Sequence, residues 1–133
     1  MRNISRLRTE KLFSVEVTEY FWAAHQLKLP DGSKEPRHAH NWRVTAAVSG
    51  ENLNKIGLLI DFLKLQKILK EIVEPLGQTC LEQIPYFQKN NPSAEAIARY
   101  VYEKLAPLMP PSVKVTEVSV EEAAGCVAKY KID

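Results

Sequence analysis

Apolar and polar residues alternate early in the chain. Phe13, Val15 and Val17 alternate with Ser14, Glu16 and Thr18, the two-residue period of a strand with one buried face. The pattern predicts a strand over residues 12–26. "LPDGSKEP" breaks it with two prolines and an Asp-Gly pair, the chemistry of a loop. A second strand follows. His38, His40, Trp42, Val44, Ala46 and Val48 share one face, and Asn41, Arg43, Thr45 and Ser49 share the other.

After "SGENLNKIG" the period becomes helical. Phe62, Leu65, Ile68, Leu69, Ile72, Val73 and Leu76 form an apolar stripe, with Asp61 placed to cap its start and Gly77 to stop it. "IPYFQKNNPSAE" is a connection with Asn91 or Ser93 as the next cap. Ala94, Ile97, Ala98, Val101 and Leu105 then mark a second helix, ended by the prolines of "APLMPP". Val113, Val115, Val118 and Val120 predict a strand up to Glu122, with a bulge or change of face at Thr116. "AAG" turns the chain, and Cys126 to Ile132 returns. The order β-β-α-α-β-β predicts an α+β fold, a four-stranded antiparallel sheet with two helices on one face, in a single domain over residues 1–133. The open edges of such a sheet need cover, and oligomerisation is one route.

Composition narrows the function classes. The net charge of +2 gives no basic field that would point to nucleic acid. No apolar run reaches membrane-spanning length. The N-terminal segment lacks an apolar stretch followed by a small-residue cleavage site, so a cytoplasmic protein is expected. Cys80 and Cys126 form neither a CxxC pair nor a disulfide framework, and reduced thiols are expected.

The chain has three histidines. Side chains two apart on a strand project to the same face, so His38 and His40 can converge on one ion. Pairing the first two strands as a hairpin brings His25 beside them. A lone histidine is more often a hydrogen-bonded core or surface residue than a ligand. Three gathered in one place suit zinc, whose catalytic sites use three protein ligands and an open position. No fourth histidine or nearby cysteine favours a closed structural site.

In order and spacing, "FWAAHQL", "EPRHAHNWRV", "GLLIDFLKLQKIL", "NPSAEAIARYVYEKL" and "VSVEE" resemble the 6-pyruvoyl-tetrahydropterin synthase family, which includes the 6-carboxy-tetrahydropterin synthases. The resemblance implies a tunnelling fold (T-fold) whose subunits assemble as a homohexamer, a dimer of trimers. It implies Zn2+ on His25, His38 and His40, and a pterin gripped by Glu122. A carboxylate can accept two parallel hydrogen bonds from the ring's amino group and adjacent N–H. Read by itself, Glu122 is an exposed residue before a turn.

The chain also departs from the family pattern. Ala39 replaces the glycine between the paired histidines, and Lys34 stands at the catalytic cysteine. Glu35 follows, giving "EPRH", which resembles the type III branch, where a glutamate replaces the cysteine. That branch cleaves the side chain of 7,8-dihydroneopterin triphosphate to 6-hydroxymethyl-7,8-dihydropterin, a folate precursor. The resemblance thus implies Glu35 as the catalytic residue; without it, Glu35 reads as a solvated loop residue. The family's Asp-His acid/base pair is replaced in "LGQT", residues 76–79. Gln78 cannot transfer protons near neutral pH. Three readings follow: a type III-like lyase, a 6-carboxy-tetrahydropterin synthase relative, and a zinc- and pterin-binding paralogue without catalysis. Lys34, Arg37 and Lys89 are candidates for holding the triphosphate.

Overall fold

The computed structural model describes residues 11–132. The sequence readings for residues 1–10 and 133 lie outside that range. Four strands form one antiparallel sheet in the order β1-β2-β3-β4: β1 Phe13–His25, β2 His38–Gly50, β3 Lys114–Ala123 and β4 Cys126–Lys131. Helices α1 (Phe62–Val73) and α3 (Ala94–Leu105) pack against it, α1 over β1 and α3 over β3 and β4. This is the α+β architecture expected from the alternation. No helix among the described residues is long and apolar enough to cross a membrane.

The core lies between the sheet's inner face and the two helices. Trp42, Val44, Ala46 and Val48 from β2 meet Leu65, Leu69, Ile97, Val101 and Leu105 from the helices, all with no exposed surface. Burying each large apolar side chain contributes about 1.5–3 kcal/mol. The register places Phe21 opposite Trp42 and His25 opposite His38, so β1 runs without a bulge and His25 keeps the inward face. β3 shifts register at Thr116, the residue skipped between the Val115 and Glu117 pairings with β2. The bulge keeps Val113, Val115, Val118 and Val120 buried together.

Several local details differ from the sequence reading. Ser93, not Asn91, caps α3, its Oγ accepting from Ala96 N–H at 3.1 Å. α1 ends at Val73 and continues as a 3-10 turn over Glu74–Leu76. Gly77 ends that turn in an extended conformation, and the left-handed residue is Gln78 at φ 59°. The connection to α3 holds a 3-10 turn, Leu81–Gln83, and a short helix α2, Pro85–Lys89.

Candidate functional site

The β1–β2 pairing gathers the histidines. His25 ends β1, His38 begins β2 directly opposite, and His40 faces Ala23 on the same side of the sheet. Ring centroids are 4.5 Å apart for His25–His38, 4.7 Å for His38–His40 and 5.3 Å for His25–His40. Trp42 forms the floor, 4.8 Å from His25 and 5.2 Å from His40. Its indole N–H donates to the Ala23 carbonyl at 3.1 Å, which fixes the ring in place.

Backbone carbonyls orient two of the imidazoles. His25 Nδ1 lies 2.7 Å from Pro92 O, and His38 Nδ1 lies 3.0 Å from Pro36 O. A carbonyl only accepts, so each Nδ1 carries the proton and each neutral ring presents a lone pair at Nε2. These two Nε2 atoms face each other at 2.8 Å. Two lone pairs at that separation repel unless a proton or cation lies between them. Orientation of this kind is the usual outer support of metal-binding histidines. His40 Nε2 is buried and has no hydrogen-bond partner among the described residues.

Glu122 completes the group. Its Oε1 is 3.7 Å from His25 Nε2, and its Oε2 is 3.5 Å from His40 Nε2. One ligand atom from each of His25, His38, His40 and Glu122 lies within 4.8 Å of all the others, so the four could hold a metal ion. Burial pushes the His40 imidazole below its ordinary pKa; the Glu122 carboxylate opposes this, and the other two histidines reinforce it. The neutral ring is the form that binds a metal.

The segment between the strands is tied down as a strap. Glu35 N–H donates to Leu27 O at 3.1 Å, and Leu27 N–H donates to Glu35 Oε1 at 3.2 Å. Asn91 grips Lys28 on both sides, accepting from its N–H at 2.9 Å and donating to its carbonyl at 2.8 Å. Glu35 therefore sits on the strap rather than among the four grouped side chains, although its charge acts on His40, raising its pKa. Lys34 and Lys89 line an open groove of ≈ 840 Å³ beside the strap, with Lys28. Arg37 is engaged elsewhere, its Nε donating to Glu82 Oε2 at 2.7 Å. Gln78 is exposed, and its N–H donates to Trp22 O at 2.6 Å. That segment bridges Ala24 through Cys80, which is half-buried.

The sequence named the histidines and Glu122, but it gave no sign of the Pro92 and Pro36 carbonyls. A backbone acceptor carries no residue signature. Only the prolines in "EPRH" and "NPSAE" marked those segments as irregular.

Residues 14–133 match the family described as 6-pyruvoyl tetrahydropterin synthase. The dihydroneopterin monophosphate aldolase of Pyrococcus furiosus is 33% identical over 102 residues, covering 77% of this chain and 82% of its own. The solved 6-pyruvoyl tetrahydropterin synthase of Caenorhabditis elegans superposes with a TM-score of 0.81 at 24% identity, covering 92% of this chain and 97% of its own. A Plasmodium vivax 6-pyruvoyltetrahydropterin synthase, solved with a catalytic glutamate changed to alanine, superposes with a TM-score of 0.72 at 21% identity, covering 93% and 99%. At those identities the two structural matches speak for the fold.

Proposed function

The chain belongs to the 6-pyruvoyl tetrahydropterin synthase family, and from that premise we propose that it is a zinc-dependent lyase cleaving the side chain of a 7,8-dihydroneopterin phosphate. The observation that carries this reading is the convergence of three imidazoles, two of them held by backbone carbonyls with their Nε2 atoms facing each other. The Pyrococcus aldolase supports the reaction class and a phosphorylated substrate. The catalytic glutamate of the Plasmodium enzyme supports a carboxylate as the acid/base.

His25, His38 and His40 would hold the ion, and Glu122 would accept from the pterin's amino group and ring N–H. Bound there, zinc would supply Lewis acidity that lowers the pKa of a side-chain hydroxyl. Glu35 takes the proton from the hydroxyl on the second side-chain carbon. The bond between the first and second carbons breaks, and the second carbon leaves as an aldehyde carrying the phosphate ester. The electron pair passes into the pterin ring. Glu35 returns the proton to the first carbon, leaving 6-hydroxymethyl-7,8-dihydropterin. Gln78 offers no second acid or base, so both transfers fall to Glu35.

The test is incubation with 7,8-dihydroneopterin triphosphate and, separately, the monophosphate, followed by oxidation and detection of fluorescent 6-hydroxymethylpterin. Wild type should form it, and Glu35→Gln should lose about 10²-fold or more in rate while still binding zinc and pterin. Formation of 6-carboxy-tetrahydropterin instead would favour the synthase reading. No turnover of either phosphate, or a fully active Glu35→Gln, would overturn the proposal.

A further inference from the structure

Glu122 stands beside the histidine group in an arrangement that a pterin anchor alone does not require. Its two oxygens straddle His25 and His40 at 3.7 and 3.5 Å. Charge-assisted hydrogen bonds are shorter, about 2.7–2.9 Å. Moreover, His25 Nε2 presents a lone pair, because its Nδ1 proton is committed to Pro92. A carboxylate oxygen facing a lone pair is repelled unless a proton or cation lies between them, and 3.7 Å is long for a shared proton. Two ligands of one tetrahedral zinc, bound at about 2.0–2.1 Å, stand about 3.4 Å apart. The Glu122 contacts, one from each carboxylate oxygen, lie close to that edge length, and one ligand atom from each of the four residues lies within 4.8 Å of the others. The His25–His38 separation of 2.8 Å is tighter, and an ion would open it by about half an ångström.

The backbone at Glu122 also allows movement. β2 pairs with β3 only up to Glu121, and the β3–β4 register skips from Glu121 to Ala123. Glu122 is a bulged residue with no cross-strand partner on either side, and its side chain is 32% exposed. It can swing without breaking a ladder pair, and an incoming molecule can reach it. Bulges re-aim side chains in this way.

We infer that Glu122 is a fourth ligand of the metal in the resting protein and exchanges that place for the pterin ring when substrate arrives. It thereby gates the metal as well as anchoring the ring. This rests on the zinc reading of the site. With Glu122 in place an ion held there would have four protein ligands and no open position. Were the ring's N–H groups to draw the carboxylate away, a place would open for a substrate hydroxyl oxygen. The ion is thus opened by the molecule it acts on.

Cobalt(II), which reports its ligands through visible absorption, serves as the probe. Metal-free wild type and Glu122→Gln are titrated with cobalt, and 7,8-dihydroneopterin is then added to the loaded wild type. Glu122→Gln should bind cobalt about 10–100-fold more weakly and with a different spectrum. The pterin should shift the wild-type spectrum as an oxygen ligand is exchanged. Equal affinity and equal spectra for the two proteins would overturn the gate while leaving the metal site standing. A wild type that takes up no cobalt would overturn both. Melting of the metal-free proteins checks that the substitution leaves the fold intact; should it fail to fold, Glu122→Asp, with its shorter reach, takes its place in the same comparison.

Discussion

At His40, desolvation and a neighbouring carboxylate act in opposite directions, and burial prevails, lowering the pKa. The sign of the consequence is fixed. The unfolded chain binds a proton at the ordinary histidine value, about 6.5, while the folded metal-free protein resists it. The stability involved is therefore fully present above that value and is lost as pH falls through the depressed folded pKa. The melting temperature of the metal-free protein should decline as pH is lowered below about 6.5, and His40→Gln should flatten that decline. An unchanged profile in the variant would show that His40 does not carry the effect. Strand periodicity puts His38 and His40 on one face and the hairpin pairing adds His25, whereas Glu122 could be named only through the family resemblance. Glu35's attachment to Leu27 was not legible, since it depends on how the strap closes on itself.

Period and breakers account for what could be read at the level of elements. Three strands follow from alternation and both long helices from an apolar stripe, while β4 follows from the turn at "AAG". The short helix α2 and the 3-10 turns do not: Pro75 lies in what reads as the end of the first helix, Pro85 in a connection and Pro107 in a helix stop. In the structure each lies in the first turn of its segment, where the missing N–H would have no partner in any case. Contacts distant in sequence are equally hidden. At Gly50, the end of β2, an added Cβ would lie 2.7 Å from both Leu59 Cδ1 and the Ser112 carbonyl oxygen. The leucine could move, but the carbonyl belongs to the backbone leading into β3. Gly50→Ala should therefore destabilise the protein by about 1–3 kcal/mol, read as a lower denaturant midpoint at unchanged slope. A midpoint equal to wild type would show that the approach relaxes freely.

Across the whole molecule, the sheet is finished on one face and unfinished at its edges. β1 and β4 are edge strands; among the described residues the β1 backbone is met at Thr18 by the Gln66 side chain and at Trp22 and Ala24 by the segment through Cys80. Large apolar groups are exposed along these strands: Leu12 52% exposed just before β1, Phe13 48%, Tyr20 56% and Trp22 50% on β1, and Val127 50% on β4. A bare edge bordered by such residues invites pairing with another chain. We propose that other copies of this chain supply that cover, in a homohexamer. The histidines and Glu122 lie at the end of the sheet where β1 finishes and β2 begins, so a neighbouring copy at the β1 edge would also border the site. Sedimentation at micromolar concentration should show the assembly rather than a 15.1 kDa monomer. Replacing Tyr20 and Trp22 together with lysine should dissociate it, since edge lysines are a standard way of blocking strand addition. If the sites are shared between copies, dissociation should lower turnover while each chain keeps its metal, because all four grouped side chains come from one chain. A stable wild-type monomer would overturn the assembly, and a fully active dissociated variant would place the whole site within one subunit.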